Sequence, residues 1–412
     1  MFYKKTLIFV VPFEITKEFR YMRKIFWTLL TLIFISCDNE PNPVKPVDKV
    51  VDFGVPHNEL WYTTSDRGTI NPMWAPSLEH DIVSNVYSGD KGIIQFSGDI
   101  TTIGNSLFSN TYNLSTVTLP SSVTTIGNNA FENCNKLYRV DLPSTISEIG
   151  DAAFASCNLK EINIPKDVTV LNYRAFAQNS LLNDITLPNG LKKISESAFT
   201  ACQSLRMVDI PDGVEEIERC AFTGCCSLEK FSGAHATEDG RALIIENKLV
   251  AFAPQGITSY EIPDNVTTIG DTAFGGCGEL ENVIIPEGVT RIEYLAFGSC
   301  GKLQSVTIPE SVTEMGCECF ATYGVNLEVY CKPATPPTAI VGNKNIEKIY
   351  FTDNFEYYGF NFDLCNLKNS KKNNQKLIEL DYLLVIYEII NYIYKNKELI
   401  EVKNQGKKNE NN

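Results

Sequence analysis

The sequence has little of the chemistry that catalytic and metal sites use. Its three histidines, His57, His80 and His235, do not lie at zinc-site spacing from a cysteine pair, and no C-x-x-C occurs. The motifs G-x-S-x-G and H-E-x-x-H and a phosphate-binding loop are also missing. Carboxylates are plentiful, but no two of them stand out as a glycosidase pair. The sequence therefore predicts no catalytic residue, no metal ligand and no cofactor, and a protein that is not an enzyme.

Positive charge is also scarce over most of the chain. The 36 Lys and Arg against 50 Asp and Glu give a formal net charge of −14. Residues 1–36 carry +4 and residues 366–412 carry +3, so residues 37–365 carry −21. Nucleic acids and anionic membrane surfaces repel a body this acidic, and we expect neither as a partner.

The apolar run at residues 25–35 is too short to span a bilayer. It follows the basic Met22-Arg23-Lys24 and ends at Ser36-Cys37, which is typical of an export signal. We interpret residues 22–36 as a signal peptide and residues 1–21 as the product of an upstream start.

The end of this signal resembles a bacterial lipobox. The resemblance implies that Cys37 is lipidated, becomes the mature N-terminus and anchors the protein to the outer membrane, exposed at the cell surface. The alternative is an ordinary signal peptide followed by a chance cysteine. Residues 37–51 contain three prolines and no apolar periodicity, which predicts an extended tether.

Most of the chain is a repeat. The stretch 123–145, VTTIGNNAFENCNKLYRVDLPST, recurs with a period of 23 residues from Ile100 to a partial coil that starts at Val312. Its two clearest columns are Phe108, Phe131, Phe154, Phe176, Phe199, Phe222, Phe274, Phe297 and Phe320, and Pro120, Pro143, Pro165, Pro188, Pro211, Pro263, Pro286 and Pro309. Before each proline, apolar and polar residues alternate as in a short parallel strand, which proline ends because it lacks an N–H donor. This predicts a solenoid over residues 100–333.

Part of the set of thirteen cysteines also follows the repeat. Six of them hold one repeat position, namely Cys134, Cys157, Cys202, Cys225, Cys277 and Cys300. One cysteine per coil indicates a column of small buried residues, because buried thiols are common in protein cores. Some pairing or a metal site is the alternative.

The segment before the repeat does not follow its pattern. Residues 52–99 contain strand-like runs at 60–64 and 92–96. A solenoid exposes its apolar interior at each end, so we predict that this segment is an N-terminal cap. The residues expected to cover the first coil are Trp61, Trp74 and Phe96; an aromatic ligand site is the alternative.

The coil at residues 214–265 is 29 residues longer than the others, and residues 243–252 within it predict a hairpin with a two-residue polar turn. A functional loop is possible in principle, but an extra irregular coil that continues the stack fits better, because its apolar runs need burial. Beyond the array we predict a last strand at 346–351 within a C-terminal cap, residues 334–365. The Lys/Asn-rich tail, residues 366–412, is too polar to span a bilayer and is predicted to be disordered or a marginal helix.

The repeat string I-G-x-x-A-F-x-x-C-x-x-L-x-x-V-x-I-P-x-x-V resembles that of the BspA-like leucine-rich-repeat proteins, which are bacterial cell-surface proteins. The match covers about residues 100–333. The resemblance implies a right-handed, β-rich α/β leucine-rich-repeat solenoid that is displayed on the surface. It also implies binding to host matrix proteins, such as fibronectin or fibrinogen, or to macromolecules of a partner cell. The alternative is an envelope structural or glycan-binding accessory protein without host contact.

The outward positions of the predicted strands are the candidate ligand-binding residues. They form a mixed, polar face without an aromatic run, of the kind on which solenoids bind proteins. A face that is merely solvated is the alternative, since most exposed polar residues bind nothing specific. The candidates are Tyr138, Arg139, Asp141, Lys160, Glu161, Asn163, Asp184, Arg206, Met207 and Asp209.

Overall fold

The computed structural model describes residues 54–72, 79–316, 318–321, 327–331, 346–351 and 355–358. These residues form strands and turns and contain no helix. The predicted segments 1–21, 22–36, 37–51 and 366–412, with Cys37, lie outside the described residues, and so does Trp74.

The chain divides into two compact units. The first runs to Ile245 and takes in Val250–Gly256; the second comprises Glu246–Leu249 and the residues from Ile257 onward. Each unit is a parallel β-solenoid with coils of about 23 residues, which confirms the predicted solenoid, although the described residues supply no helix for an α/β assignment.

The strands are short and numerous. The first sixteen are β1 (Glu59–Thr64), β2 (Ile82–Ser88), β3 (Lys91–Phe96), β4 (Thr102–Ile103), β5 (Leu114–Thr118), β6 (Thr125–Ile126), β7 (Arg139–Asp141), β8 (Glu148–Ile149), β9 (Glu161–Asn163), β10 (Val170–Leu171), β11 (Asp184–Thr186), β12 (Lys193–Ile194), β13 (Met207–Asp209), β14 (Glu216–Ile217), β15 (Lys230–Ser232) and β16 (Ala242–Ile245). They are followed by β17 (Lys248–Phe252), β18 (Ser259–Glu261), β19 (Thr268–Ile269), β20 (Asn282–Ile284), β21 (Arg291–Ile292), β22 (Ser305–Ile308), β23 (Glu314–Met315), β24 (Leu327–Cys331), β25 (Ile346–Phe351) and β26 (Phe355–Tyr358).

Each regular coil has two strands on different sides. The predicted strand before each proline is present, and these strands pair in parallel with equivalent residues opposite one another, as Val117 does with Val140. The proline carbonyl then accepts a hydrogen bond from the N–H three residues on, as between Pro120 and Val123 at 3.1 Å, so each proline begins a tight turn. A two-residue strand follows the turn, and these second strands pair in parallel too, as Ile103 does with Ile126. The sequence analysis did not predict the second set.

The phenylalanine column is a stack of rings. From Phe108 to Phe222 in the first unit, neighbouring ring centroids lie 5.2–5.7 Å apart with planes within 15° of parallel. In the second unit the rings of Phe274, Phe297 and Phe320 stack in the same way. Because each ring is buried and offset-stacked, the column is a major source of stability.

The chain turns around each phenylalanine by way of two left-handed residues. In the first unit φ lies between 51° and 76° two residues before each ring and two residues after it. These residues are Ser106, Asn110, Asn129, Asn133, Ala152, Ser156, Arg174, Gln178, Ser197, Ala201, Cys220 and Gly224. This backbone conformation directs main-chain N–H groups toward the next coil. The N–H groups of Asn129, Phe131 and Asn133 therefore donate hydrogen bonds to carbonyl groups one coil further on, at 2.7–2.8 Å. This ladder offsets the cost of left-handed backbone at residues other than glycine.

The segment predicted to be an N-terminal cap contains an antiparallel extension of the first sheet, in the order β2-β3-β1-β5-β7. The strands predicted at 60–64 and 92–96 are confirmed as β1 and β3, while β2 was not predicted. Leu60, Tyr62 and Phe96 face the core, where the Tyr62 hydroxyl donates to Asn85 Oδ1 at 2.6 Å. The expectation that Trp61 covers the first coil is wrong, because residues alternate along β1 and Trp61 lies on the opposite side from Leu60 and Tyr62.

The long coil contains the predicted hairpin. β16 and β17 are joined by Glu246 and Asn247, whose φ values of 48° and 62° are those of a type I′ turn. In the second unit Lys248 and Leu249 pair in parallel with Thr268 and Ile269 of β19, so the insert continues a sheet of the solenoid. The predicted last strand is also confirmed as β25, which pairs in parallel with β24 and antiparallel with β26.

Candidate binding face

The outward side of β5, β7, β9, β11, β13 and β15, with the residue before each of the last five, is named here the strand face. Parallel pairing places equivalent residues of successive coils side by side. Glu161 lies beside Asp184 and Asn163 beside Thr186. Met207 lies beside Lys230 in the same way. The strand face therefore has three columns of side chains that run along the first unit.

All ten sequence-predicted candidates lie on the strand face. Their side chains are exposed, except for Asp141, Asp184 and Arg206, which are half-buried. The alternate strand residues Val140, Ile162, Ile185 and Val208 are buried in the core. The predicted orientation of the candidates is therefore confirmed; what they bind is a separate question.

Some charges of the strand face are paired within it. Arg139 Nε donates to Asp141 Oδ1 at 2.8 Å, and this hydrogen bond raises the pKa of the Arg139 guanidinium. Arg206 lies 3.6 Å from Glu229, and Lys160 Nζ lies 5.6 Å from the ring centroid of Tyr138. Exposed ion pairs of this kind add little to stability. Their charged groups can therefore exchange partners and contact a bound protein without unfolding the solenoid.

Two apolar side chains stand out among these charges. Met207 is 57% exposed and Tyr138 is 43% exposed. Large apolar and aromatic side chains with polar surroundings are typical of the contact centres of protein interfaces. The strand face can therefore offer both apolar anchors and charged groups of either sign to a partner.

Sequence reasoning missed five outward residues of the same columns. They are Thr116 and Thr118 on β5, Lys230 and Ser232 on β15, and Glu229 just before β15. Thr118 Oγ1 donates to Asp141 Oδ2 at 3.1 Å, and Ser232 Oγ donates to Asp209 Oδ1 at 2.5 Å. The sequence did contain a signal for the strand β15, since residues 228–231 repeat the Leu-x-x-apolar spacing of the other coils just before the long insert begins.

Trp61 does not offer an open aromatic platform. Its indole Nε1 donates to Glu59 Oε2 at 2.8 Å, and Lys91 Nζ lies 3.0 Å from the ring centroid. A cation over the ring uses the face on which an aromatic or sugar ligand would stack. The alternative of an aromatic ligand site at Trp61, Trp74 and Phe96 therefore gains no support from the residues described, since Phe96 is buried as well.

The cysteine column is a packing feature, as predicted. All six cysteines are buried, and the Sγ atoms of Cys134, Cys157, Cys202, Cys225 and Cys300 lie 3.0–3.2 Å from the phenylalanine carbonyl oxygen of the preceding coil. Burial raises the pKa of the Cys134 thiol and of the Cys202 thiol to about 12. These thiols therefore stay protonated at neutral pH, which makes them poor nucleophiles and poor metal ligands.

We expect Cys134 and Cys202 to resist alkylation by iodoacetamide in the folded protein between pH 7 and 10, because the thiolate forms only near pH 12. Peptide mass spectrometry after labelling, with and without denaturant, measures this. The half-buried Cys220 and Cys226 are the internal comparison. Native labelling of Cys134 as fast as after denaturation would contradict the buried column.

Between Cys134 and Cys300, one coil departs from the cysteine column. Asn179 takes the cysteine position and is fully buried. Its Nδ2 donates to the carbonyls of Phe154 at 2.8 Å and Phe176 at 2.9 Å, and its Oδ1 accepts from the Leu159 N–H at 3.1 Å. Coil 146–167 is one residue short just before Leu159. In the full-length coils the equivalent leucine N–H donates to the residue three positions back, as Leu137 does to Cys134 at 2.8 Å. Asn179 thus replaces a hydrogen bond that the deletion removes.

No cluster in the described residues suggests other chemistry. The described part of the chain brings no three His, Cys, Asp or Glu side chains together as a metal site would. It also contains no apolar helix of membrane-spanning length.

Parallel coils, stacked rings and an extended outward face define a solenoid repeat protein of the leucine-rich-repeat class. The BspA type leucine-rich-repeat region matches in six copies, over residues 101–229 and 245–368, which is more than half of the chain. The protein belongs to this BspA-type family. Proteins of the family are typically exported to the cell surface, and their repeats are scaffolds for protein–protein interaction.

Several solved structures are similar to the chain. A leucine-rich cell surface protein from Faecalibacterium prausnitzii A2-165 is 22% identical over 76% of this chain and 96% of that chain, with a TM-score of 0.44. The pneumococcal vaccine antigen PcpA is 19% identical over 66% and 76%, with a TM-score of 0.48. A leucine-rich-repeat protein from Bacteroides ovatus ATCC 8483 is 20% identical over 65% and 90%, with a TM-score of 0.33. No curated protein matches the chain.

Proposed function

We propose that the protein is a surface-anchored adhesin that binds a host matrix protein or a macromolecule of a partner cell through the strand face. The observation that supports this most is the alignment of the ten candidate side chains into regular columns over four coils. Such a face is rigid because backbone ladders hold every strand, so binding it costs little conformational entropy. Display at the surface rests on the lipid anchor predicted at Cys37.

Charge carries part of the recognition in this proposal. Arg139, Lys160 and Arg206 are cations of the strand face within a body that carries −21. A partner that docks here has acidic groups for these cations and an apolar patch for Met207 and Tyr138. Binding should weaken as salt rises, because exposed charge pairs are screened.

The triple reversal Arg139→Glu, Lys160→Glu and Arg206→Glu is expected to weaken binding about tenfold, a change of about 1.4 kcal/mol in binding free energy. Affinity is measured by surface plasmon resonance against immobilised fibronectin, fibrinogen and other matrix proteins, and melting temperature is followed in parallel. The melting temperature should stay nearly unchanged, because these side chains point away from the core.

Lys192→Glu is the matched control, since Lys192 is an exposed cation just before β12 of the second set of strands and pairs with Glu215 just before β14. Equal loss of binding in this variant and in the triple variant would contradict a role of the strand face. Binding to glycans but not to proteins would replace the adhesin with the envelope accessory protein. Cells that express Cys37→Ser should release the protein and lose surface adhesion.

A further inference from the structure

β2 is the outermost strand of the first sheet, and along the described residues it pairs only with β3. Its sequence, IVSNVYS, contains no charged residue and no proline. Val86 is 57% exposed and Val83 is 63% exposed. Natural proteins usually protect an edge of this kind with lysine, proline or a covering segment. Among the described residues, the protection visible at this edge is a bulge at residues 82–84, which leaves Ser84 to Ser88 in regular register.

The free side of β2 carries unpaired backbone groups. Gly89 and Asp90 form a two-residue turn that closes on the pair Ser88 and Lys91. Antiparallel pairs alternate between hydrogen-bonded and non-bonded, and the pair that closes such a turn is bonded. Ser84, Val86 and Ser88 therefore bond to β3, while the N–H and C=O groups of Asn85 and Tyr87 point to the open edge.

The first edge of the other sheet, the sheet of two-residue strands, is covered by a side chain. β4 begins the sheet of two-residue strands, and there Glu79 Oε2 accepts from the Thr101 N–H at 2.8 Å and from the Thr102 N–H at 3.3 Å. In the next coil the Thr101 carbonyl accepts from Thr124 and Thr125 at the same two distances. The carboxylate thus takes the place of a carbonyl from a missing coil. Burial alone would raise the pKa of Glu79, but these hydrogen bonds outweigh it and lower the pKa. One edge is closed by a charge, and the β2 edge is left open.

We propose that β2 pairs antiparallel with β2 of a second copy of this chain, across a twofold axis near Asn85 and Val86. Such pairing satisfies the free groups of both copies and closes the edge, because a twofold interface uses the same patch on each side. Charge favours this patch for self-association. Two copies with a net charge of −14 repel over most of their surface, and the seven residues of β2 bring no like charges together. A strand pair of this length is smaller than a standard interface, so the dimer is weak and forms with rising concentration.

The test uses the full chain in a mild non-ionic detergent, followed by sedimentation velocity over a range of concentrations. The wild-type protein should shift from monomer to dimer. Val86→Lys should abolish the shift, because pairing brings residue 86 of each copy within reach of the other and sets like charges together. Val86→Glu should abolish it too. A mixture of the two variants should dimerise again, since opposite charges then face each other.

Met207→Lys is the matched control, because Met207 has the same exposure as Val86 but lies on the strand face. It should leave the dimer intact, and all variants should keep the wild-type melting temperature. A monomer at every concentration would overturn the proposal. So would a dimer that Met207→Lys breaks and Val86→Lys leaves unchanged, or a mixture of Val86→Lys and Val86→Glu that stays monomeric. The matrix-binding assay uses other residues, so the two proposals fail independently.

Discussion

Replacing Phe176 with alanine is expected to lower the free energy of unfolding of the first unit by about 3–5 kcal/mol. The ring is fully buried and stacks on Phe154 at 5.6 Å and on Phe199 at 5.7 Å, so its removal leaves a cavity between two flat rings. The backbone ladder around Phe176 holds those rings apart and prevents the cavity from closing. Guanidinium denaturation of the full chain, monitored by circular dichroism, measures the change.

Tyr173→Ala is the matched control in the same coil. Tyr173 is 45% exposed, and its truncation should change stability by less than about 0.5 kcal/mol. Phe176→Leu retains most of the volume and should fall between the two. If Phe176→Ala were no more destabilising than Tyr173→Ala, the ring column could not be a major source of stability.

Replacing Asn179 with cysteine is expected to destabilise the first unit by about 2–3 kcal/mol, although cysteine is the usual residue of the column. A cysteine Sγ can still bond to the preceding phenylalanine carbonyl, as it does in five other coils. It cannot accept from the Leu159 N–H in the way that Asn179 Oδ1 does, so a buried donor loses its partner. The same denaturation experiment measures the loss.

A second change tests the cause. Inserting one residue between Asn158 and Leu159 restores the 23-residue spacing and lets the Leu159 N–H donate to the Cys157 carbonyl. In that background Asn179→Cys should be nearly neutral, which gives a coupling of about 2 kcal/mol between the two changes. Additive effects would show that the deletion and the asparagine are unrelated. Cys202→Asn is the control, because it places an asparagine in the cysteine column next to a coil of full length.

The sequence predicts the solenoid and its core well, because a 23-residue period places each Phe, Cys and Pro in one environment. Orientation on the long strands follows from alternation, which is why the ten candidates of the strand face all point outward. The left-handed residues beside each ring could not be predicted, since Arg174, Gln178 and Ala201 have no preference for positive φ. The ladder between coils imposes that conformation, and the ladder exists only after folding.

The cap shows a second limit of sequence reasoning. Trp61 is the largest apolar residue of β1 and was expected to cover the first coil, but Leu60 and Tyr62 do so. Strand register decides between the two sets, and Gly92 helps to fix it, because a Cβ there would collide with the Tyr62 ring. The candidate site was predictable as a face, while its ligand depends on shapes and charges of a partner that this chain does not encode.

The Glu79 carboxylate also bears on how such genes change in length. It accepts hydrogen bonds from the main-chain N–H groups of Thr101 and Thr102 and from the Thr101 hydroxyl, and the two N–H groups are features that nearly every coil presents. After a recombination event that duplicates or removes whole coils, Glu79 would meet a different first coil that presents the same N–H groups. The terminal segment can therefore stay unchanged while the array behind it grows or shrinks, and the number of coils becomes a property that duplication can change.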